Sequence, residues 1–335
     1  MSGTAGDGRP RLLAVSDLHV GYPENRAIAE RLQPVTSSDW LIVAGDVGEL
    51  FADIEHVLTI LSRRFARVIW APGNHELWTH RRDPVRLRGE ERYLRLVSVC
   101  RRLGVLTPED PFPLWPGEQG PVAVVPLFVL YDYSFRPDGA GSAAEGLARA
   151  QAAGIVSSDE RMLHPDPYPS REDWCAARLA VCRQRLAELP DTMPTVLVSH
   201  FPLVREPTRV LRYPVFAQWC GTEQTADWPV RYRAEAVVYG HLHIPRTTWH
   251  DSVRHEEVSL GYPREWRRRG SPPVIPRQIL PSLAGTPPGE AAPTAGYSST
   301  SIRSRSPRSG ESAARTCPAE SSPRNAERAG PSASS

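Results

Sequence analysis

Leu12-Leu13-Ala14-Val15-Ser16-Asp17-Leu18-His19 decides how the chain is read: an apolar run of strand length ends in a turn that carries a carboxylate and an imidazole. The same pattern returns at Trp40-Leu41-Ile42-Val43-Ala44-Gly45-Asp46 and at Val68-Ile69-Trp70-Ala71-Pro72-Gly73-Asn74-His75-Glu76. A helix-like stretch separates each run from the next, so the three predict a β-α-β sheet with its polar residues just past the strand ends.

Further out, strands are expected at Val122 to Val125, Leu127 to Tyr131, Thr195 to Ser199, Ala236 to Tyr239, Thr247 to His250 and Val253 to Leu260. The last of these have no helix between them and should pair antiparallel. Helices are expected over Phe51 to Arg63, Pro84 to Leu103 and Ser170 to Leu189, the last opening with Ser170 and Asp173 at capping-box spacing. Residues 134–169 have no clear period and read as a cap or loop insertion over the mouth of a site. Residues 1–10 read as a flexible start. From about Gly270 the composition turns to Pro, Ser, Arg, Gly and Ala, so 270–335 is expected to be a disordered tail and 11–269 the folded domain. The Arg-Ser-Arg-Ser-Pro-Arg stretch at 303–308 reads as solvated tail.

Composition excludes several function classes. All 40 basic residues are arginine, which removes a Walker A lysine, a Schiff base and a lysine general base. A net charge of +2 provides no field for nucleic acid or membrane, and a nuclease would need a basic track that only Arg267 to Arg269 suggests. The five cysteines are odd in number and nowhere spaced C-x-x-C, as expected of reduced thiols. No apolar run approaches the roughly 20 residues of a membrane span, and the first ten residues lack an export signal's apolar stretch. A cytoplasmic protein is the expectation.

Five motifs follow strands in order: Asp17-Leu18-His19, Gly45-Asp46, Gly73-Asn74-His75-Glu76, Ser199-His200 and Gly240-His241-Leu242-His243. Any one alone is an ordinary turn. Together they supply seven donors of the kind that hard or borderline divalent cations take, with no cysteine among them. Two cations about 3.5 to 4 Å apart need a carboxylate between them, for which Asp46 is the candidate. Asp17, His19 and His243 would complete one site, and Asn74, His200 and His241 the other. Manganese or iron suits this set, with zinc possible. Such a pair polarises phosphoryl oxygens and acidifies water, which is phosphoester hydrolysis. His75, next to a ligand, is assigned with Asp46 to catalysis, stabilising a phosphoryl oxygen or protonating the leaving group.

On these five motifs the chain resembles the calcineurin-like metallophosphoesterase superfamily from roughly Leu12 to Arg269. The resemblance implies a four-layer α/β/β/α sandwich with a dinuclear centre at the strand ends. Gly45-Asp46 continues as Val47-Gly48-Glu49, without the Asp-Arg-Gly of serine/threonine protein phosphatases, which speaks against that activity. The blocks Leu130-Tyr131-Asp132-Tyr133-Ser134-Phe135, Phe201 to Pro207, His243 to Trp249 and Gly261 to Arg269 look like the phosphopantetheinyl hydrolases of actinobacteria. That resemblance implies removal of 4'-phosphopantetheine from holo acyl carrier protein. Trp78, Arg81, Arg82, Tyr131, Tyr133, Arg205, Trp219 and Arg246 lie near the motifs and would supply an arginine clamp and aromatic walls, with Arg205, Arg246, Trp78, Tyr131 and Tyr133 the substrate-binding candidates. Core or rim packing is the plainer reading of any one of them. A nucleotide phosphodiesterase is the competing enzyme, and a metal-free scaffold, which would require lost ligands, the competing class.

Overall fold

The strand runs that open the chain become the centre of a two-sheet sandwich in the structure, a computed structural model that describes residues 10–283. The first sheet holds β1 (Leu12–Val15), β2 (Trp40–Val43), β3 (Arg67–Trp70) and β10 (Arg277–Leu280), in the order β10-β1-β2-β3. The second holds β4 (Leu114–Gly117), β5 (Gly120–Pro126), β6 (Thr195–Val198), β7 (Ala234–Tyr239), β8 (Arg246–His250) and β9 (Val253–Glu257), in the order β4-β5-β6-β7-β9-β8. β1, β2 and β3 are parallel, as are β5, β6, β7 and β9.

Alternation along the strands makes the layers. Leu12, Ala14, Ile42, Ile69, Val124, Val196, Val198, Ala236 and Val238 form one apolar cluster between the sheets. Their neighbours Leu13, Val15, Leu41, Val43, Val68, Trp70, Val125, Leu197 and Val237 point the other way, into a cluster that includes the buried faces of the helices. Those helices are α1 (Pro23–Ala29), α2 (Phe51–Arg64), α3 (Asn74–Leu77), α4 (Gly89–Arg102), α5 (Ala143–Ala152), α6 (Asp159–Met162), α7 (Arg171–Ala187), α8 (Trp228–Arg231) and α9 (Pro263–Arg268). The result is the layered α/β sandwich that the sequence led one to expect.

Several boundaries differ for identifiable reasons. The folded part does not stop at Arg269: β10 pairs antiparallel with β1 and buries Ile279 and Leu280 between the sheets. The Pro-rich stretch before it hid a strand of four residues. The remaining tail, 284–335, and the start, 1–9, lie outside the described residues, as does the arginine-serine stretch at 303–308. Leu127 to Tyr131 is not a strand, although all five residues are buried. β8 and β9 are antiparallel as expected, but β9 inserts between β8 and β7 and runs parallel to β7. The helix expected from Pro84 begins only at Gly89, whereas Ser170 does cap α7, its side chain accepting from the Asp173 N–H. The insertion at 134–169 contains α5 and α6 where no helical period was evident.

The two sheets are also joined by backbone at one end. The Ser16 N–H donates to Val258 O at 3.1 Å and Leu260 N–H to Ser16 O at 2.9 Å, just beyond β1 and β9. That seam carries Asp17. Among the described residues, no helix is long and apolar enough to cross a membrane.

Because Ile279 is fully buried in the inter-sheet cluster, Ile279→Ala should destabilise the protein by about 2–5 kcal/mol. Urea unfolding would measure it, and parental stability would mean that β10 is not part of the core.

Candidate metal centre

Asp17 and His19 follow β1, Asp46 follows β2, Asn74 and His75 follow β3, His200 follows β6, and His241 and His243 follow β7. These strands run parallel within each sheet, so their carboxyl ends open on one edge of the sandwich. The loops there are unusually bent: Asp17 (φ +53°), His19 (+41°), Asp46 (+55°), His241 (+69°) and His243 (+55°) all occupy the left-handed region. Such conformations cost on the order of 1–3 kcal/mol each and persist where surrounding contacts enforce them. Glycine allows the close approach that the bends require. A Cβ on Gly73 would fall 2.1 Å from Asp46 Oδ1, and one on Gly240 would fall 2.2 Å from Asp17 Oδ2.

Each half of the cluster is oriented by a partner behind it. His243 Nδ1 lies 2.7 Å from Glu265 Oε2, which turns Nε2 inward, 3.0 Å from Asp17 Oδ1 and 3.2 Å from His19 Nε2. His200 Nδ1 donates to Ala44 O at 2.9 Å, leaving Nε2 3.1 Å from Asn74 Oδ1 and 3.4 Å from Asp46 Oδ2. Asn74 Nδ2 donates to Asp159 Oδ1 at 2.9 Å, so its carbonyl oxygen, the only atom of that amide fit to ligate, faces inward. Asp17 Oδ2 lies 2.6 Å from Ser16 Oγ and 2.7 Å from Ser259 Oγ, and accepts the His241 N–H at 3.0 Å.

The Glu76 carboxylate holds the loops after β2 and β3 together. It accepts N–H groups of Asp46 (2.9 Å), Val47 (3.0 Å) and Gly73 (2.6 Å), and the Trp70 indole N–H (3.2 Å). Burial, with Asp46 adding to it, pushes its carboxyl up to about 7 against those donors. Arg92, fully buried on α4 and paired with Asp83, donates to the backbone oxygens of Glu76 (2.6 Å) and Glu49 (2.9 Å).

His75 lies at the border of the cluster, beside Asp46 and His19. Its backbone N–H donates to Asp46 Oδ1 at 2.9 Å, its Nδ1 lies 2.9 Å from Glu49 Oε1, and its ring packs on Trp78 at 3.6 Å between centroids. Its Nε2 is 3.8 Å from Asp46 Oδ2 and 3.4 Å from the Tyr262 hydroxyl. Burial opposes the charged ring, but Asp46 and Glu49 outweigh it and raise its pKa to about 9.

The cluster accepts divalent cations on three observations. Asp17 with His19 and His243, Asp46 with His19 and His75, and Asp46 with Asp17 and His200 each bring their ligand atoms within 4.8 Å of one another. The 3.2 Å between His19 Nε2 and His243 Nε2 brings two imidazole nitrogens close enough to be donors to one cation. The buried His241 Nε2 has no partner among the described residues, and burial and His200 lower the ring's pKa to about 3, so the imidazole is neutral and has a lone pair to offer a cation. His75 could enter the second of those groups, but its Nδ1 is held at Glu49 and its ring on Trp78.

The other expected residues divide. Trp78 is buried beneath His75 and donates to Asp159 Oδ1 at 2.6 Å. Tyr131 is fully buried, with Asp159 and Tyr133 among its electrostatic neighbours. Tyr133 is committed to Glu160 (2.9 Å) and Arg171 (3.1 Å), and Trp219 to Glu160 (2.7 Å). Arg205 bonds Arg136 O and Asp138 of the insertion, and Arg246 bonds Pro207 O. Arg205 and Arg246 therefore hold neighbouring segments in place, whereas Arg81 and Arg82 are exposed. Sequence reasoning assigned no role to Glu49 or Glu76, though both stood in or beside quoted motifs. Glu265 and Tyr262 stood in the quoted block Gly261 to Arg269 without an assigned role, and Asp159 and Ser259 carried no signal of one.

The acyl-carrier-protein phosphodiesterase PptH of Mycobacterium tuberculosis is 57% identical over 272 residues, 81% of this chain and 84% of that protein. The crystal structure of phosphopantetheinyl hydrolase PptH from M. tuberculosis matches with a TM-score of 0.80 at 55% identity, covering 84% of this chain and all of that one. The family model of the calcineurin-like phosphoesterases matches residues 10–245, a span that takes in all five strand-end loops. The chain belongs to the calcineurin-like phosphoesterase family.

Proposed function

We propose that this protein is a phosphodiesterase that hydrolyses the bond between 4'-phosphopantetheine and the serine of a holo acyl carrier protein in the cytoplasm. The observation that carries the reading is the 57% identity with a protein named for that activity, over 84% of its length. The cluster is of the right chemical kind. Asp17, His19 and His243 would hold one divalent cation, Asn74, His200 and His241 a second, with Asp46 between them. Manganese or iron fits best, because oxygen and imidazole donors predominate and thiolates are absent. When bound, the pair supplies Lewis-acid polarisation of the phosphodiester and a lowered water pKa.

The chain's own residues do the rest. Water adds its oxygen to phosphorus and the serine oxygen leaves, taking up a proton, to give free 4'-phosphopantetheine and the apo carrier. His75 is held by Glu49 and Trp78 with Nε2 toward the Asp46 side, where it serves to neutralise a phosphoryl oxygen or to protonate the departing serine oxygen. Asp159 keeps Asn74 and Trp78 in register with that ring.

Intact-mass measurement of holo acyl carrier protein incubated with enzyme and manganese should show loss of the phosphopantetheine mass, abolished by a chelator. An unchanged carrier, with an aryl phosphodiester still cleaved, would discard the carrier as substrate and leave another phosphodiester, such as a nucleotide, in its place. Asp46→Asn should abolish turnover and lower the bound metal measured by elemental analysis, since a neutral amide replaces the shared carboxylate; wild-type activity would sink the dinuclear assignment. His75→Ala should keep its metal while kcat falls by roughly 100-fold or more, and metal lost in that variant would make His75 a ligand.

A further inference from the structure

The bond cut in the proposed reaction is unusual in its position. It lies one serine side chain from the carrier's backbone, so the partner's own surface must rest against the rim of the metal centre, not only its long prosthetic arm. Two segments border the Gly240–Ile244 loop that carries His241 and His243.

On one side, a chain segment of two 3-10 turns, Glu206–Val210 and Pro214–Trp219, is pinned by Leu211 and Phe216, which, like Ile244, pack against the buried cluster of Phe135, Ala217, Cys220, Tyr239 and Leu242. The Phe216 ring also stacks on His241 at 6.1 Å. With Leu211 turned inward as the pin, its neighbours Arg209, Val210, Arg212 and Tyr213 are exposed, Val210 by 50% and Tyr213 by 42%. Arg212 lies over the Tyr213 ring at 5.4 Å and is in no ion pair among the described residues. Arg209 reaches only Glu206, at 3.7 Å on the surface. On the other side, Arg264 lies 5.0 Å over the ring of Tyr262, which itself sits 4.4 Å from His19 and 4.7 Å from His243.

We infer that the exposed turn Arg209–Tyr213, with Arg264 across the loop, is the docking surface for the acidic face of the carrier protein around its modified serine; the inference rests on the substrate reading above. Charge complementarity selects the occupant. One arginine in no ion pair, a second held only by a long surface contact to Glu206, and the exposed Val210 and Tyr213 beside them fit an acidic, amphipathic protein surface, and the same charges attract it from a distance. The chain as a whole is close to neutral, at +2, so this local excess of arginine does not follow from bulk composition.

The test compares holo carrier protein with an aryl phosphodiester small enough to need no docking. The double variant Arg209→Glu/Arg212→Glu should lower kcat/KM for the carrier by roughly 10-fold or more, with weakened salt dependence, and leave the small diester at the wild-type rate. Val210→Ala/Tyr213→Ala should lower the carrier rate without changing its salt dependence. Variants that process both substrates as the wild type does, or lose both equally, would overturn the surface while leaving the substrate reading intact. A wild-type enzyme inert on the carrier but active on the small diester would overturn both.

Discussion

The Glu76 carboxylate, buried at the end of α3, accepts the backbone N–H groups of Asp46, Val47 and Gly73 and the indole N–H of Trp70. Through it the loops after β2 and β3 share one acceptor, and neither can move without exposing buried donors. Asp46 is placed by that clamp, and Asp46 is the residue on which both halves of the cluster converge: His200 at 3.4 Å, His75 at 3.8 Å and His19 at 3.9 Å from Oδ2. Arg92 extends the constraint outward, gripping the Glu76 and Glu49 carbonyls from α4 and closing its own charge on Asp83. One side chain of α4 thus helps to fix the loop geometry at the edge.

The sandwich supplies the second constraint. Asp17 sits where Ser16 is bonded to Val258 and Leu260, so the donor after β1 is fixed by the other sheet as well as by its own. His243, from a loop of that other sheet, is aimed at Asp17 by Glu265 of α9. Charge explains why such a crowd is stable. Burial would raise Asp17 and Asp46, yet the surrounding imidazoles hold both carboxyls below their usual range. Ligands held by bonds behind them cost little rearrangement when a cation binds, which is preorganisation in its plainest form.

Division of labour follows from this layout. The inner set is fixed by bonds behind each donor, whereas the borders differ in kind: the insertion reaches inward through Asp159, and the turns after β6 expose arginine and apolar side chains. Arg205 links the two borders through Arg136 and Asp138. What a phosphodiesterase of this build accepts is then a property of its rim, because the strand-end loops have no freedom left to vary.

Sequence alone determined the strand-end motifs, and with them the sheet class and all seven candidate ligands, because strand runs and the turns after them are local and their spacing is visible in one dimension. It also removed lysine chemistry outright, since composition needs no fold. Tertiary structure decided the rest. Asp159 comes from an aperiodic insertion, Glu265 from the far end of the domain, and Ser259 from beyond β9; each acts on a ligand tens to hundreds of positions away, and no local pattern records that. β10 was lost in a Pro-rich stretch because four residues against β1 give too short a period to read. Arg205, Arg246 and Tyr133 lay near the motifs in sequence and were expected at the substrate, yet packing committed them to neighbouring segments. Proximity along the chain fixes which loop a residue belongs to, while the direction its side chain takes is settled by the partners that the fold brings to it.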